Sequence, residues 1–258
     1  SMIIEPQGST WQCGETGSLK DCDPSADPPT TRASATVTLA DSTAFREFAL
    51  MISDAMMITN GNSGAVNYRT EPMTFRYADN AAAKDFSCML SNQLIQPAQD
   101  PQTPIFTAEI GDKVRFRLTH PFGTGTSQVF TLHGHVWQWN PYKNDSREIG
   151  DNSLSQWQGS RDNHASTDHF DLVVDKAGGE GGKPGDYLYT VFQPLQAAQG
   201  TWGIFRVGHS KGTQPQPNAA CEPVIPEVSP RGVPPRTKQV APLPKKDDLN
   251  RFIRQPSN

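Results

Sequence analysis

The sequence predicts an all-β protein: a Greek-key β-sandwich with an irregular N-terminal strap and a Pro-rich C-terminal tail. Three observations carry that expectation. Short runs in which apolar and polar residues alternate recur through the middle of the chain, separated by turns rich in Gly, Pro and Asp, as strands and their connections do. No long stretch shows the i, i+3, i+4, i+7 apolar spacing of an amphipathic helix. The composition, 35% hydrophobic with 22 prolines and 21 glycines in 258 residues, suits a loop-rich sandwich better than a helical bundle.

Residues 1–35 form the strap. They are rich in turn formers and close on DCDPSADPPTT, where Pro28 and Pro29 cannot sit inside a regular element. Residues 36–210 are the domain. In its first part Phe45, Phe48, Leu50 and Ile52 mark a long strand, although FREFALMISDAMM also reads as a short helix. AVNYRTEPMTFRY is extended, with Pro72 punctuating it. IFTAEI and KVRFRLTH are two short strands joined at Gly111-Asp112, a hairpin-type signal. In the second of them Val114, Phe116 and Leu118 alternate with Arg115, Arg117 and Thr119, which predicts one buried and one wet face. The polar stretch from Lys143 to Ser166 reads as a surface excursion, after which strand character returns at DHFDLVVD, DYLYTVF and TWGIFRV. The tail, 211–258, has no apolar run long enough for a core and reads as extended. It is either an arm that wraps a neighbouring domain or subunit, giving a homo- or hetero-oligomer, or a solvated linker.

Several function classes are disfavoured. A net charge of −4 with mixed Lys and Arg gives no nucleic-acid footprint. Nothing approaches the ~18 consecutive apolar residues of a membrane span. There is no GxSxG elbow and no P-loop. Asp168 and Asp171 have no convincing catalytic spacing. Trp137, Trp139, Trp157 and Trp202 suggest either a sugar-stacking platform or, more plainly, core and rim packing. The four cysteines show no CxxC spacing, so disulfides are preferred to zinc, with Cys13–Cys22 and Cys88–Cys221 favoured among three pairings. Disulfides imply an oxidising compartment, periplasmic or secreted. The abrupt start at Ser1-Met2-Ile3-Ile4 reads as a processed or trimmed end.

One segment concentrates the chemistry: SQVFTLHGHVWQW, Ser127 to Trp139. On a single strand His133 and His135, two residues apart, face one side, and two converging imidazoles are half of a metal site. The plain alternative is a strand end with one hydrogen-bonded and one solvated histidine. A cupin-type site wants a carboxylate four residues on, where Trp139 stands. His120 reads as a strand-end histidine bonded to a carbonyl. His164 and His169 flank ASTD, where either Asp168 orients one of them or, more plainly, both are solvated loop side chains; His209 follows the last strand and reads as facing water.

TPIFTAEIGDKVRFRL, VFTLHGHVW and GDYLYTVFQPLQAAQGTWGIFRV together resemble a cupredoxin domain of the multicopper oxidase superfamily. FREFALMISDAMMI with AVNYRTEP is similar to the opening strands of such domains in large bacterial members, including those linked to metal oxidation. The resemblance spans residues 36–208. In laccase-like members the last domain carries HPxHxHGH. Aligned on the shared LHGH, Gln128 stands at the type 1 histidine, Thr131 at the first cluster histidine, and His133 at a ligand position. His135 stands at a histidine that is usually not a ligand, unless a shifted register makes His133 and His135 an HxH pair. The family's HCHxxxHxxxM loop is replaced by TVFQPLQAAQGT between Tyr189 and Trp202, with no Cys, His or Met. The resemblance therefore implies no blue type 1 copper in this chain. It implies at most a partial copper site at His133 and His135, completed by other cupredoxin domains or a partner subunit that together reduce O2. The rival expectation is a copper-free structural or binding module used in assembly.

Overall fold

A strand with apolar residues at alternate positions must lay that face on a second layer, and here two sheets do so for each other. The computed structural model describes residues 5–13, 34–57, 62–72, 101, 103–123, 127–142, 150–191 and 199–208, with thirteen strands among them. The first sheet runs β1 (Thr10–Cys13), β2 (Ser34–Thr38), β3 (Ala44–Met57), β6 (Val114–Phe122) and β11 (His169–Val174), with β4 (Asn62–Val66) also paired to β3. The second runs β10 (Ser160–His164), β7 (Gln128–Leu132), β12 (Gly185–Val191), β13 (Trp202–Val207) and β5 (Ile105–Ala108). A two-stranded ribbon joins β8 (Trp137–Gln138) to β9 (Trp157–Gln158). β3 pairs with β6, and β13 with β5, in parallel; the other pairs are antiparallel. Parallel neighbours need long crossovers, and the chain supplies them by passing repeatedly between sheets. The expected all-β sandwich is what the chain forms.

The core lies between the sheets. Phe48 and Phe116 from the first meet Phe106 and Phe205 from the second, with centroid distances of 4.8 Å for Phe48–Phe106 and 5.4 Å for Phe116–Phe205. Trp137 and Trp202 are buried, whereas Trp139 and Trp157 are exposed. Two of the four tryptophans are thus packing residues.

Four local expectations need correction. Gly111-Asp112 does not close a hairpin: β5 and β6 lie in different sheets, and the turn, with Gly111 at φ 85° and Asp112 N–H donating to Glu109 O at 3.1 Å, carries the chain across the sandwich. Phe106 and Phe116 are both buried with ring centroids 5.8 Å apart, so strands facing one another across the seam hide their apolar side chains. The face of β6 expected to be wet is not, since Arg115 is buried and pairs with Glu47 and Glu5, while Arg117 reaches Glu5 and Asp171. Burial raises the Glu47 carboxyl above its ordinary value, against the pull of Arg115 and Arg117. The strap is not wholly irregular, because β1 extends the first sheet through β2. Nor is 143–166 only an excursion: it contains β9 and β10, the latter an edge strand of the second sheet.

Every described residue belongs to one compact unit, Ser1–Ile225. The tail 211–258, His209, Cys22, Cys88 and Cys221 lie outside the described residues, so the two cysteine pairings do too; Cys13 is disulfide-bonded. Among the described residues no helix is long and apolar enough to cross a membrane.

The packing makes a contrast that equilibrium urea unfolding measures. Phe116→Ala removes a ring from the inter-sheet seam and should cost about 3–5 kcal/mol, whereas Phe122→Ala, at the half-exposed end of β6, should cost no more than about 1 kcal/mol. Equal costs would place the core elsewhere.

Candidate functional site

The histidine segment is not one strand. β7 ends at Leu132, the chain turns through His133 and Gly134, and pairing resumes only at Trp137. Gly134 adopts φ 73°, and a Cβ there would lie 2.8 Å from the Tyr187 ring, so both conformation and space call for glycine. The turn sends the two imidazoles different ways: His133 is exposed and His135 is 3% exposed. They do not share a face, contrary to the single-strand expectation.

His135 is held on both sides. Its Nδ1 lies 3.0 Å from His133 O, and its Nε2 accepts the Gly178 N–H at 3.0 Å. The ring packs edge-on to Tyr187 at 4.5 Å and Phe205 at 5.3 Å between centroids. Burial lowers its pKa, partly countered by the His133 carbonyl. A neutral imidazole has one N–H and one lone pair, and here the main chain uses both. Coordination through His135 therefore requires breaking its link to Gly178.

The two other ligand positions are likewise engaged. Thr131 Oγ1 donates to Thr190 O at 3.3 Å, across the β7–β12 pair. Gln128, fully buried, donates its amide Nε2–H to Asp54 Oδ2 at 2.7 Å.

Gln128 opens onto a second group of polar side chains. Asp54 lies towards the end of β3 and His120 towards the end of the parallel β6; Gln128 begins β7 and is the register partner of His164, which ends β10. Both sheets thus deliver polar groups to one end of the sandwich, and all four are 0–2% exposed. His120 Nε2 faces Asp54 Oδ1 at 3.4 Å, and the His120 and His164 rings lie 5.2 Å apart between centroids at a 42° tilt. Phe170 meets His164 edge-on at 5.1 Å. Burial, with His120 beside it, pushes the His164 imidazole down to about 4. Gly123 closes the group, because a Cβ there would overlap Asp54 Oδ1.

This placement revises three expectations. His120 faces a carboxylate rather than a carbonyl. His164 is core, not solvated loop, and His169 is exposed. Asp168 Oδ2 accepts the Ala165 N–H at 2.9 Å, and Asp171 pairs with Arg117.

The residues present do not fit a type 1 copper. That centre needs a thiolate beside its histidines; Gln128 presents its amide N–H to Asp54, and the sequence from Thr190 to Thr201 holds no Cys, His or Met. Among the described residues no three His, Cys, Asp or Glu side chains are grouped to hold a metal.

Removing the shared carboxylate tests how the end of the sandwich is held. Asp54→Ala strands Gln128 Nε2 and His120 Nε2 in the core and should lower unfolding free energy by about 2–4 kcal/mol. A change below about 0.5 kcal/mol, the scale of an ordinary surface substitution, would show the group to be loosely held.

No protein-family model and no curated protein matches the chain. Among solved structures it is similar to a multicopper oxidase (11% identity, TM-score 0.37, 67% of this chain and 55% of that one). It is also similar to the McoA multicopper oxidase of the hyperthermophile Aquifex aeolicus (13%, TM-score 0.39, 67% and 41%). A third is the copper nitrite reductase of Nitrosomonas europaea (12%, TM-score 0.37, 62% and 48%). The chain spans about half or less of the length of these proteins.

Proposed function

We propose that this chain is a cupredoxin-type domain of a larger multicopper oxidase-type protein, in which the family's copper-ligand positions have become structural. On this reading it acts by packing against other cupredoxin domains or a partner subunit. The observation that supports it most is Gln128, which stands at the aligned type 1 position and donates its buried amide N–H to Asp54 Oδ2; an HxH pair is met by a His135 ring whose two nitrogens are both committed to main-chain partners. Thr131 bonded to Thr190 O supports it further. The reading takes 36–210 as the working domain and the Pro-rich 211–258 as the arm that engages a neighbour. It also takes the cysteines as Cys13–Cys22 and Cys88–Cys221 bridges in a periplasmic or secreted protein.

A second reading rests on the exposure of His133. It makes His133, with His135 released from Gly178, part of a copper centre that another domain or chain completes, where O2 is the acceptor.

Calorimetric titration of copper into the untagged chain separates the two. The first reading expects any copper uptake to be unchanged in His133→Ala and His135→Ala, and His135→Ala to lose about 1–3 kcal/mol of stability by leaving the Gly178 N–H unpaired. Copper bound by the parent chain and lost in both variants would overturn it in favour of the second.

A further inference from the structure

The end of the sandwich that holds Asp54 contains more unpaired polar atoms than a closed core tolerates. His120 Nδ1, Gln128 Oε1 and both ring nitrogens of His164 are buried with no hydrogen-bond partner among the described residues. An unmet buried group costs roughly 1–3 kcal/mol, and several together point to a missing partner such as a water or an ion. The chemistry of the atoms narrows the choice. Gln128 has turned its amide N–H to Asp54, so the carbonyl oxygen that remains is purely an acceptor. His120 faces Asp54 through Nε2; with the hydrogen there, Nδ1 presents a lone pair. A carboxylate behind one ring nitrogen, fixing the tautomer and leaving the other nitrogen open, is the arrangement found around metal-bound histidines. The acceptor atoms and the Asp54 carboxylate disfavour an anion.

The spacing agrees. Two imidazoles sharing a tetrahedral ion at about 2.0–2.1 Å have ring centroids roughly 5 Å apart, and those of His120 and His164 are 5.2 Å apart. We propose that His120, His164 and Gln128 form a buried site for a divalent transition-metal ion of the Zn2+ class, with Asp54 as the carboxylate behind it. The donor set is two imidazoles and one amide oxygen, with a fourth position for water. It uses neither His133 nor His135, and it shares with the function proposed above only Gln128, whose amide N–H stays on Asp54 while its carbonyl oxygen serves the ion. Since His120 belongs to the first sheet and Gln128 and His164 to the second, the ion cross-links the two layers where their apolar seam ends.

The test uses the untagged full chain, stripped with a chelator, loaded with Zn2+ and desalted. About one ion per chain should remain and the melting temperature should rise. His133→Ala should keep the ion, His164→Leu should lose it, and Asp54→Asn should weaken binding by about 10–100-fold. X-ray absorption of the loaded parent protein should show two imidazoles around zinc, a readout that stands even if His164→Leu fails to fold. A folded parent protein that retains no zinc, retention in folded His164→Leu, or a shell with fewer than two imidazoles overturns the site.

Discussion

The constraint on which the molecule depends is the dry seam between the sheets, where Phe48 and Phe116 meet Phe106 and Phe205. A polar group that enters such a seam must bring its partner with it or lose more free energy than a typical contact returns. The same rule governs the flank of the first sheet. There Arg115 and Arg117 are covered because Glu47, Glu5 and Asp171 are carried in beside them. Crossing turns such as the one at Gly111 let consecutive strands face each other over this seam.

Within that frame the histidine segment and the Asp54 group are two solutions to one problem. His135 enters the apolar layer beside Tyr187 and Phe205 with both nitrogens matched by main-chain groups. The Asp54 group enters it partly matched, with acceptors left over. Full matching makes a histidine a packing residue. Incomplete matching in a buried place leaves room for an ion, which is why His135 and the His120–His164 pair receive different roles.

Much of the fold was legible because alternation is local. Phe48, Leu50 and Ile52 on β3, and Val114, Phe116 and Leu118 on β6, announce their strands residue by residue. What was not legible depends on distant partners. The Arg face of β6 looks wet until Glu5 and Glu47 are brought to it from more than sixty residues away. Asp54 meets His120 and Gln128 across 66 and 74 residues, a separation that no pattern in a single sequence reports. The single-strand reading of SQVFTLHGHVWQW failed at Gly134, whose positive φ turns the chain; glycine between two histidines was the one local signal that it would. The polar character of Ser160–His164 concealed an edge strand, because an edge can be half solvated.

The central claim is that His135 is a packed, main-chain-bonded histidine rather than a copper ligand. Nitrogen NMR of the histidine rings tests it most directly. A neutral His135 protonated at Nδ1, with Nε2 accepting from Gly178, is expected, with a signal unchanged when monovalent copper is added. A copper-induced shift of the His135 Nε2 resonance, or protonation at Nε2, would contradict it.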